Sequence, residues 1–576
     1  MVEGLDSKRP DDEIWSSRAA FYFAAIGAAV GFGNVWRFPA LSVQYGGGAF
    51  FIPYFLAFFL IGVPILILEI GFGQYWQTGD VGVFGGFNKR LMGVGVASVA
   101  CGWMLVSYYS VLIAWVINAF FDSFGGDSPW DDEGVTGTIA IDYFIDNIIG
   151  AKTLGDDQKA TRVVWANVGY SALSWFFVWL CLAFGTKATG RIAYVTMGIP
   201  IVVLVIFLGK ACTLEGASDG IEVYIGKWDL ASLNEQGDVW ARATTQVFFS
   251  IGITFGIMTA FGSHCKRHEP VFLNSIVIAS CNSIFSIISG FAVFASLGHL
   301  AFLEGVAVTD LSYGGFSLVF GTWPVVLGTL PGGIHWVRLL FFDLFLLGLD
   351  SAFAILEGVI TVCSDTVYFQ HTPKYKITGT FCFLTWLLSI MYCTDAGLNW
   401  LDVIDYYINF CMTLVGLFEC LGAGWVFGIE DQFESVGHHA VYSWAILANF
   451  GPVIIASAIW FGLEGDRPAM AGFMALIGSS LVGVAVTTYF LDKKMKESPG
   501  KWTWSEIWWE VSFSNIFKLK NLVEPTIQYI PDAWAYLIKG LIPHLLIVLF
   551  VSAAATQNDA GNANFGDYGG DPLAPH

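Results

Sequence analysis

The chain has 576 residues, 55% hydrophobic and only 13% charged, with 65 glycines, 50 phenylalanines and 23 tryptophans, and a mean hydropathy of +0.63. That is the composition of a polytopic membrane protein and excludes a soluble globular domain. The formal net charge of −20 offers nucleic acid no basic surface and resides largely in stretches such as Asp127 to Asp157 and Asp567 to His576. Excess carboxylate of this kind keeps a surface hydrated in strong salt, or simply marks acidic outer loops.

Met1 to Arg18 is polar and acidic and lacks the basic stretch and short apolar core of a secretory signal, so the amino terminus is expected to be cytoplasmic. A span needs about 20 apolar residues. Runs of that kind are predicted near 19–42, 49–75, 91–121, 162–184, 191–210, 241–262, 272–297, 336–363, 377–393, 402–427, 441–462 and 469–491, with a candidate thirteenth near 533–555. Lys89, Arg90, Lys187, Arg191, Lys266, Arg267, Lys374, Lys376, Lys493, Lys494 and Lys496 fall on one side and the acidic loops on the other, which places both ends of the twelve-helix body in the cytoplasm. Tyr313 to Gly333, rich in glycine and proline, reads as a re-entrant outer loop. Trp502 to Lys520 mixes tryptophans with charges and reads as an interfacial helix. If the thirteenth run crosses, the acidic tail lies outside. Ten cysteines, among them Cys101, Cys181, Cys281 and Cys411, show no metal-binding or disulfide spacing and read as small buried hydrophobes.

Two runs are punctuated alike. GAAVGFGN (Gly27 to Asn34) in the first has a counterpart in SIGITFG (Ser250 to Gly256) in the sixth. Glycine weakens a helix interior, and freed backbone groups at membrane depth persist only where they line a cavity or meet an ion. Interrupted helices at matching places in two halves point to an inverted-repeat transporter with its site at the midplane; glycines that merely allow close helix packing are the alternative. Asn34, Asn282 and Asp350 also lie within apolar runs, where polar side chains face a cavity. Amide, carboxylate and carbonyl oxygens suit a hard monovalent cation, so sodium or a proton is the expected driving ion. In the eighth run Asp343, Asp350 and Glu357 recur every seven residues, two turns or about 10 Å apart, as one stripe that cannot face lipid. Gly348 and Ser351 flank Asp350 and make it the strongest candidate; Glu357 reads as a structural carboxylate, and Asp343 lies toward the outer mouth.

GFGNVWRFP (Gly31 to Pro39), YGGGAFFIPY (Tyr45 to Tyr54), VSYYSVLIAW (Val106 to Trp115), QVFFSIG (Gln246 to Gly252) and LGLDSAFAILEGVIT (Leu347 to Thr361) together resemble the neurotransmitter:sodium symporter family, in particular its prokaryotic amino-acid transporters. The resemblance covers roughly Trp15 to Asp405 and becomes loose from Gly428. It implies an all-α fold of two inverted five-helix repeats (helices 1–5 near 19–210, helices 6–10 near 241–427) within a core spanning 1–427. Helices 1 and 6 are unwound in that fold; helices 11 and 12 follow in 428–492, and 493–576 stands apart from the family pattern.

The resemblance also implies a site. One sodium ion is expected on Ala29, Asn34, Ser250 and Asn282 with the substrate carboxylate, and a second on Gly27, Val30, Leu347, Asp350 and Ser351. The substrate carboxylate is expected to meet the amides of Phe32 and Gly33 and the hydroxyl of Tyr109, and its amine the carbonyls of Ala29, Phe249 and Gly252; Ser250 also borders the substrate. Leu105, Phe249, Gly252, Phe255, Ser351 and Ile355 would line the side-chain pocket. Amine-transporting relatives carry an aspartate where this chain has Gly31, so the substrate is expected to bring its own carboxylate. No charged group lines the pocket, which implies a neutral, hydrophobic or aromatic amino acid, and Gly252 is expected to leave room for a large one. Tyr54, Gln246, Ser250, Asn282 and Ser286 match a chloride cluster in which chloride-independent relatives place a carboxylate at the position of Ser286.

For the gates, Arg37 is expected to pair with Asp405 above a lid of Tyr109 and Phe249. At the inner face Trp15 and Asp365 match the family, while Asp12 and His264 replace an arginine and a tyrosine; Lys8, Arg9 or His264 is expected to pair with Asp365 or Asp12. The expected activity is therefore sodium-coupled, chloride-dependent symport of a neutral amino acid across the plasma membrane. No nucleophile arrangement, nucleotide loop or organic-cofactor motif points to an enzyme. Proton coupling through Asp350 or Asp343, or a non-transporting amino-acid sensor, are the rival readings, and the sequence leaves homodimer formation open.

Overall fold

The structure is a computed structural model that describes residues 13–125, 128–132, 134–151, 160–235, 238–311, 317–369, 371–462 and 468–555. Lys8, Arg9, Asp12, much of the acidic stretch at 152–159 and the whole tail from 556 lie outside the described residues.

With no water in the bilayer core, each spanning segment must pair its own backbone groups, and these apolar runs do so as helices. Among the described residues eleven are long and apolar enough to cross a membrane: α2 (Gly48–Trp76), α3 (Lys89–Asp122), α4 (Trp165–Leu182), α5 (Thr186–Ala211), α7 (Val271–Glu304), α8 (Gly333–Ser364), α9 (Lys374–Cys393), α10 (Gly397–Val436), α11 (His438–Gly462), α12 (Ala469–Glu497) and α13 (Asp532–Ala555). A twelfth, α1, is two pieces, Arg18–Ala29 (α1a) and Gly33–Gln44 (α1b), bent by 56° at their junction. The sixth run is likewise split into α6a (Val239–Ile251) and α6b (Ile257–Ser263). Among the described residues the only β pairing is two isolated bridges, so the chain is an all-α polytopic membrane protein whose helices fall where the apolar runs place them.

Burial separates centre from rim. The apolar stretches of α3 and α8 are 78% and 83% buried, whereas that of α12 is 11% buried and faces lipid. α8 lies along α3, and α2 along α6b. The second contact is close because it is made by glycines: a Cβ on Gly73 would stand 2.1 Å from the Thr259 carbonyl oxygen, and one on Gly262 2.4 Å from that of Ile70.

On the outer side, the described part of the expected re-entrant loop forms a short apolar helix, Leu318–Gly328. Its Phe320 ring stacks on Phe144 at 3.9 Å. On the inner side the interfacial segment is two helices, Trp504–Ser512 and Ser514–Ile527. The first starts at a reciprocal cap in which the Thr503 hydroxyl and the Glu506 carboxylate each accept from the other's backbone, and these bonds hold the Glu506 carboxyl below its ordinary value. It buries Ile507 and Val511 and exposes Trp504 and Trp509, as a helix lying on a bilayer surface does. The thirteenth run forms a helix long and apolar enough to cross a membrane, and α13 packs against α10, α11 and α6a. Its Trp534 indole donates to the Pro64 carbonyl at 3.0 Å. Its buried Lys539 donates to Asn515 and sits over the Trp425 ring at 4.8 Å.

Gly73→Ala is expected to lower the thermal stability of the purified protein by about 1–3 kcal/mol, the cost of overpacking. Gly93→Ala, where a Cβ meets nothing within 4 Å, is expected to leave the melting transition in place.

Candidate functional site

The two broken helices create the site. α1a ends because Val30 turns to an extended conformation (φ −88°, ψ 113°). Asn34 recaptures the chain beyond it: its Oδ1 accepts the Gly31 amide at 2.8 Å, a local side-chain cap that competes with helix. α6a ends at Gly252 (φ +74°), and Thr254 (φ +68°) and Gly256 (φ +74°) are also left-handed. Thr254 is β-branched and adopts this conformation at a cost; its amide is held by Glu69 Oε1 at 2.6 Å.

Between the breaks lies a small cavity. Ala29, Gly31, Gly33, Asn34, Tyr109 and Ser250 line its polar side, and Leu105, Phe249, Gly252, Phe255, Ile257, Ser351 and Ile355 the remainder. No charged side chain is among the lining residues. Phe32 presents its amide to the Tyr109 hydroxyl at 3.3 Å, and its ring stacks between Tyr109 and Trp36. Gly31 is fixed by space: a Cβ there would stand 2.6 Å from Ser351 Oγ and 2.7 Å from the Tyr109 hydroxyl, leaving no room for the aspartate of amine transporters. Gly252 is different. Its left-handed backbone demands glycine, and a Cβ would touch only Ile257 and Met258 at 3.4 and 3.9 Å. The helix break by itself accounts for glycine at this position.

Asn34 joins three helices. Its Nδ2 reaches Asn282 Oδ1 at 2.7 Å, Ser286 Oγ at 2.8 Å and Ser250 Oγ at 3.2 Å. The Asn282 amide oxygen also faces the Ala29 carbonyl oxygen at 3.0 Å and that of Ser250 at 3.3 Å. Turning the amide over would let its nitrogen donate to both carbonyls, but would set it against the Asn34 nitrogen at 2.7 Å. In the turned orientation its oxygen accepts from the Ser250 hydroxyl at 2.8 Å; the carbonyl oxygens of Ala29 and Ser250 are the groups of this cluster that a hard cation takes in either case.

The second group gathers at α8. Ser351 Oγ lies 3.4 Å from the carbonyl oxygens of both Val30 and Leu347. Asp350, fully buried, accepts from Thr196 at 2.5 Å through Oδ1. Its Oδ2 has no hydrogen-bond partner and presses on Gly27, where a Cβ would stand 2.5 Å away. Asp343 and Glu357 are also buried, as the stripe on one helix face requires.

Gln246 is fully buried with neither its amide oxygen nor its nitrogen bonded, one turn of α6a from Ser250. Tyr54 bonds Ser283 at 2.9 Å, the neighbour of Asn282. Of the five residues of the expected chloride cluster, Ser250, Asn282 and Ser286 touch Asn34 directly.

The gates depart from expectation. Arg37 donates to Asn409 at 2.8 Å and lies over the Phe249 ring at 4.8 Å; it forms no ion pair with Asp405. That carboxylate is held by the Tyr108 hydroxyl at 2.5 Å, a buried partner on α3 that meets it without crossing the vestibule. At the inner face Trp15 is docked on α6b: its indole donates to the Phe261 carbonyl at 3.0 Å and its amide to that of His264. His264 turns to the Glu13 carbonyl through Nδ1 and to Glu357 through Nε2 (3.5 Å), not to Asp365. Lys374 pairs with the same Glu357 oxygen at 2.5 Å. Asp365 accepts from the Thr78 hydroxyl and the Gly79 amide, both at 2.8 Å, at the start of the short helix Asp80–Phe87.

Sequence reasoning missed Thr196, Ser283, Asn409 and Lys374, whose hydroxyl, amide and ammonium groups carry no signal until the helices are assembled. It also passed over Glu69 and Glu419, although a carboxylate within an apolar run is itself a signal.

A cavity at the junction of two helix breaks, inside a bundle of long apolar helices, defines a membrane transporter built on discontinuous helices. The chain belongs to the sodium:neurotransmitter symporter family, whose model matches residues 12–138 and 132–464; its members are transporters, not enzymes. It is 31% identical over 526 residues to the human sodium- and chloride-dependent neutral and basic amino acid transporter B(0+), covering 81% of this chain and 82% of that protein. It is 32% identical to the human sodium- and chloride-dependent taurine transporter, covering 80% of this chain and 79% of that protein. Mouse sodium- and chloride-dependent GABA transporter 2 is 29% identical, with 78% of this chain and 80% of that protein covered.

Lys374→Met strips Glu357 of its cation and is expected to cost about 3–5 kcal/mol, the usual penalty for orphaning a buried charge. Adding Glu357→Gln should recover much of the lost stability, read as thermal unfolding of the purified protein.

Proposed function

We propose that the protein is a sodium-coupled, chloride-dependent symporter of a neutral amino acid at the cell membrane, working by alternating access. The observation that carries this reading is the uncharged cavity set between the two helix breaks, lined by Ala29, Asn34 and Ser250 on one side and Ser351 on the other. Relatives named as sodium- and chloride-dependent transporters support the ions.

Sodium enters as cargo. Ala29, Asn34, Ser250 and Asn282 would take one ion beside the substrate, and Gly27, Val30, Leu347, Asp350 and Ser351 the other. The substrate carboxylate would complete the first set and accept from the Phe32 and Gly33 amides and from Tyr109, at the positive end of α1b. Its ammonium would face the carbonyls that α6a loses at its break. Leu105, Phe255, Ile257 and Ile355 would enclose an apolar side chain. Chloride among Tyr54, Gln246, Ser250, Asn282 and Ser286 would offset the cation charge in low dielectric. The two helix breaks fit the family's five-plus-five inverted repeat. The relatives named for taurine and GABA favour a β- or γ-amino acid as the second reading.

Uptake into proteoliposomes with sodium and chloride varied separately is the test. Accumulation of a neutral α-amino acid is expected to vanish without sodium and to fall strongly in gluconate. Asp350→Asn should abolish it, and Ser286→Glu should make it independent of chloride. Equal uptake in chloride and gluconate would remove the anion from this account; accumulation driven by a pH gradient without sodium would replace the coupling ion. In direct binding, Gly31→Ala is expected to weaken the amino acid at least about tenfold, or ~1.4 kcal/mol.

A further inference from the structure

Below the cavity, on the cytoplasmic side of the helix-6 break, three carboxylates come together from three elements. Glu69 on α2 holds the Thr254 amide. Asp80, first residue of the helix Asp80–Phe87, accepts from Ser98 at 2.5 Å and faces Gly256, where a Cβ would stand 3.2 Å from its Oδ2. Glu419 on α10 lies within electrostatic reach of both, one turn beyond Gly416, which abuts the Thr254 methyl. All three are at most 1% exposed.

Five of their oxygens and hydroxyls lack any hydrogen bond: Glu69 Oε2, Asp80 Oδ1, both oxygens of Glu419, and Thr254 Oγ1. Among the described residues no lysine, arginine or histidine forms an ion pair with the three. Cys101 on α3 and Cys420 on α10 are the other titratable groups facing Glu419, and both are neutral thiols unless deprotonated. Lys539 of α13, packed at Gly424, turns instead to Asn515 and Trp425. Asp365 stays at the Gly79 amide. Buried like charges without a counter-ion cannot all ionise. Burial pushes the Asp80 carboxyl up, against the bonds from Ser98 and Thr259.

We infer that Glu69, Asp80 and Glu419 form a proton-binding site that holds the inner half of helix 6 closed and releases protons to the cytoplasm as that half opens. The ligand is the proton. Held as neutral acids, the carboxyls can approach one another and donate to the oxygens now left without partners. When α6b moves and water enters, a carboxyl O–H bond breaks, its proton passes to water and the carboxylate remains hydrated. The closed state therefore binds more protons than the open one, and by linkage a rising cytoplasmic pH favours opening. Asp80 sets the site's strength because it adds a third acid at the Gly256 end of the break.

The proton site does not depend on the symport reading; its consequence for transport rests on that reading, and two readouts separate them. Infrared spectra of the purified full-length protein at neutral pH should show protonated-carboxyl absorption that is reduced in Asp80→Asn and in Glu419→Gln. In proteoliposomes at fixed outside pH, sodium-driven uptake should slow several-fold as the lumen is acidified, and the slope should flatten in Asp80→Asn/Glu419→Gln. Unchanged infrared absorption in both variants overturns the site, even if a variant fails to transport. A lumenal pH profile that is flat in the wild type, or the same in wild type and variant, overturns its link to opening.

Discussion

The Asn34 side chain is the contact on which the architecture turns. A helix broken at membrane depth exposes amides and carbonyls that no solvent can satisfy, and this one residue answers on both sides. Its oxygen takes the Gly31 amide, while its nitrogen reaches Ser250 of α6a and Asn282 and Ser286 of α7. The break in α1 is thereby fastened to the helix next to the other break. Without that fastening, the Ala29 and Ser250 carbonyls and the Asn282 side chain would have no reason to converge.

From this junction an aromatic column rises toward the outer face. Tyr109 stacks on Phe32, Phe32 on Trp36, and Trp36 meets Phe320, which lies flat on Phe144. At the inner face the closure is mainly polar: Trp15 docks on α6b, Glu357 collects His264 and Lys374, and Asp365 caps a loop helix. The two ends of the pathway are thus held by different physics, stacked surface outside and buried charge inside.

The helices and both breaks were legible because apolar runs, glycines and intramembrane polar residues are local signals. Asn34, Asn282, Asp350 and the cavity lining were read through motif position, and the structure sets Asn34 against Asn282 and Asp350 against Gly27. Partners that depend on assembly were not. The Arg37 to Asp405 pairing fails because Tyr108 reaches Asp405 first and Asn409 stands one turn nearer to Arg37. His264 takes Glu357 because α6b ends beside α8, a proximity no spacing encodes. Gly252 shows the converse: a residue rightly placed in the pocket, whose identity the backbone conformation by itself accounts for.

The central claim is that the broken helices hold a carboxylate and sodium as one unit. Linkage then requires each to raise the other's affinity by the same factor. Radiosodium binding to the purified protein, measured alone, with a neutral amino acid and with the corresponding decarboxylated amine, tests this directly. The account requires tighter sodium binding with the amino acid and none of that gain with the amine; equal sodium affinity in all three conditions would contradict it.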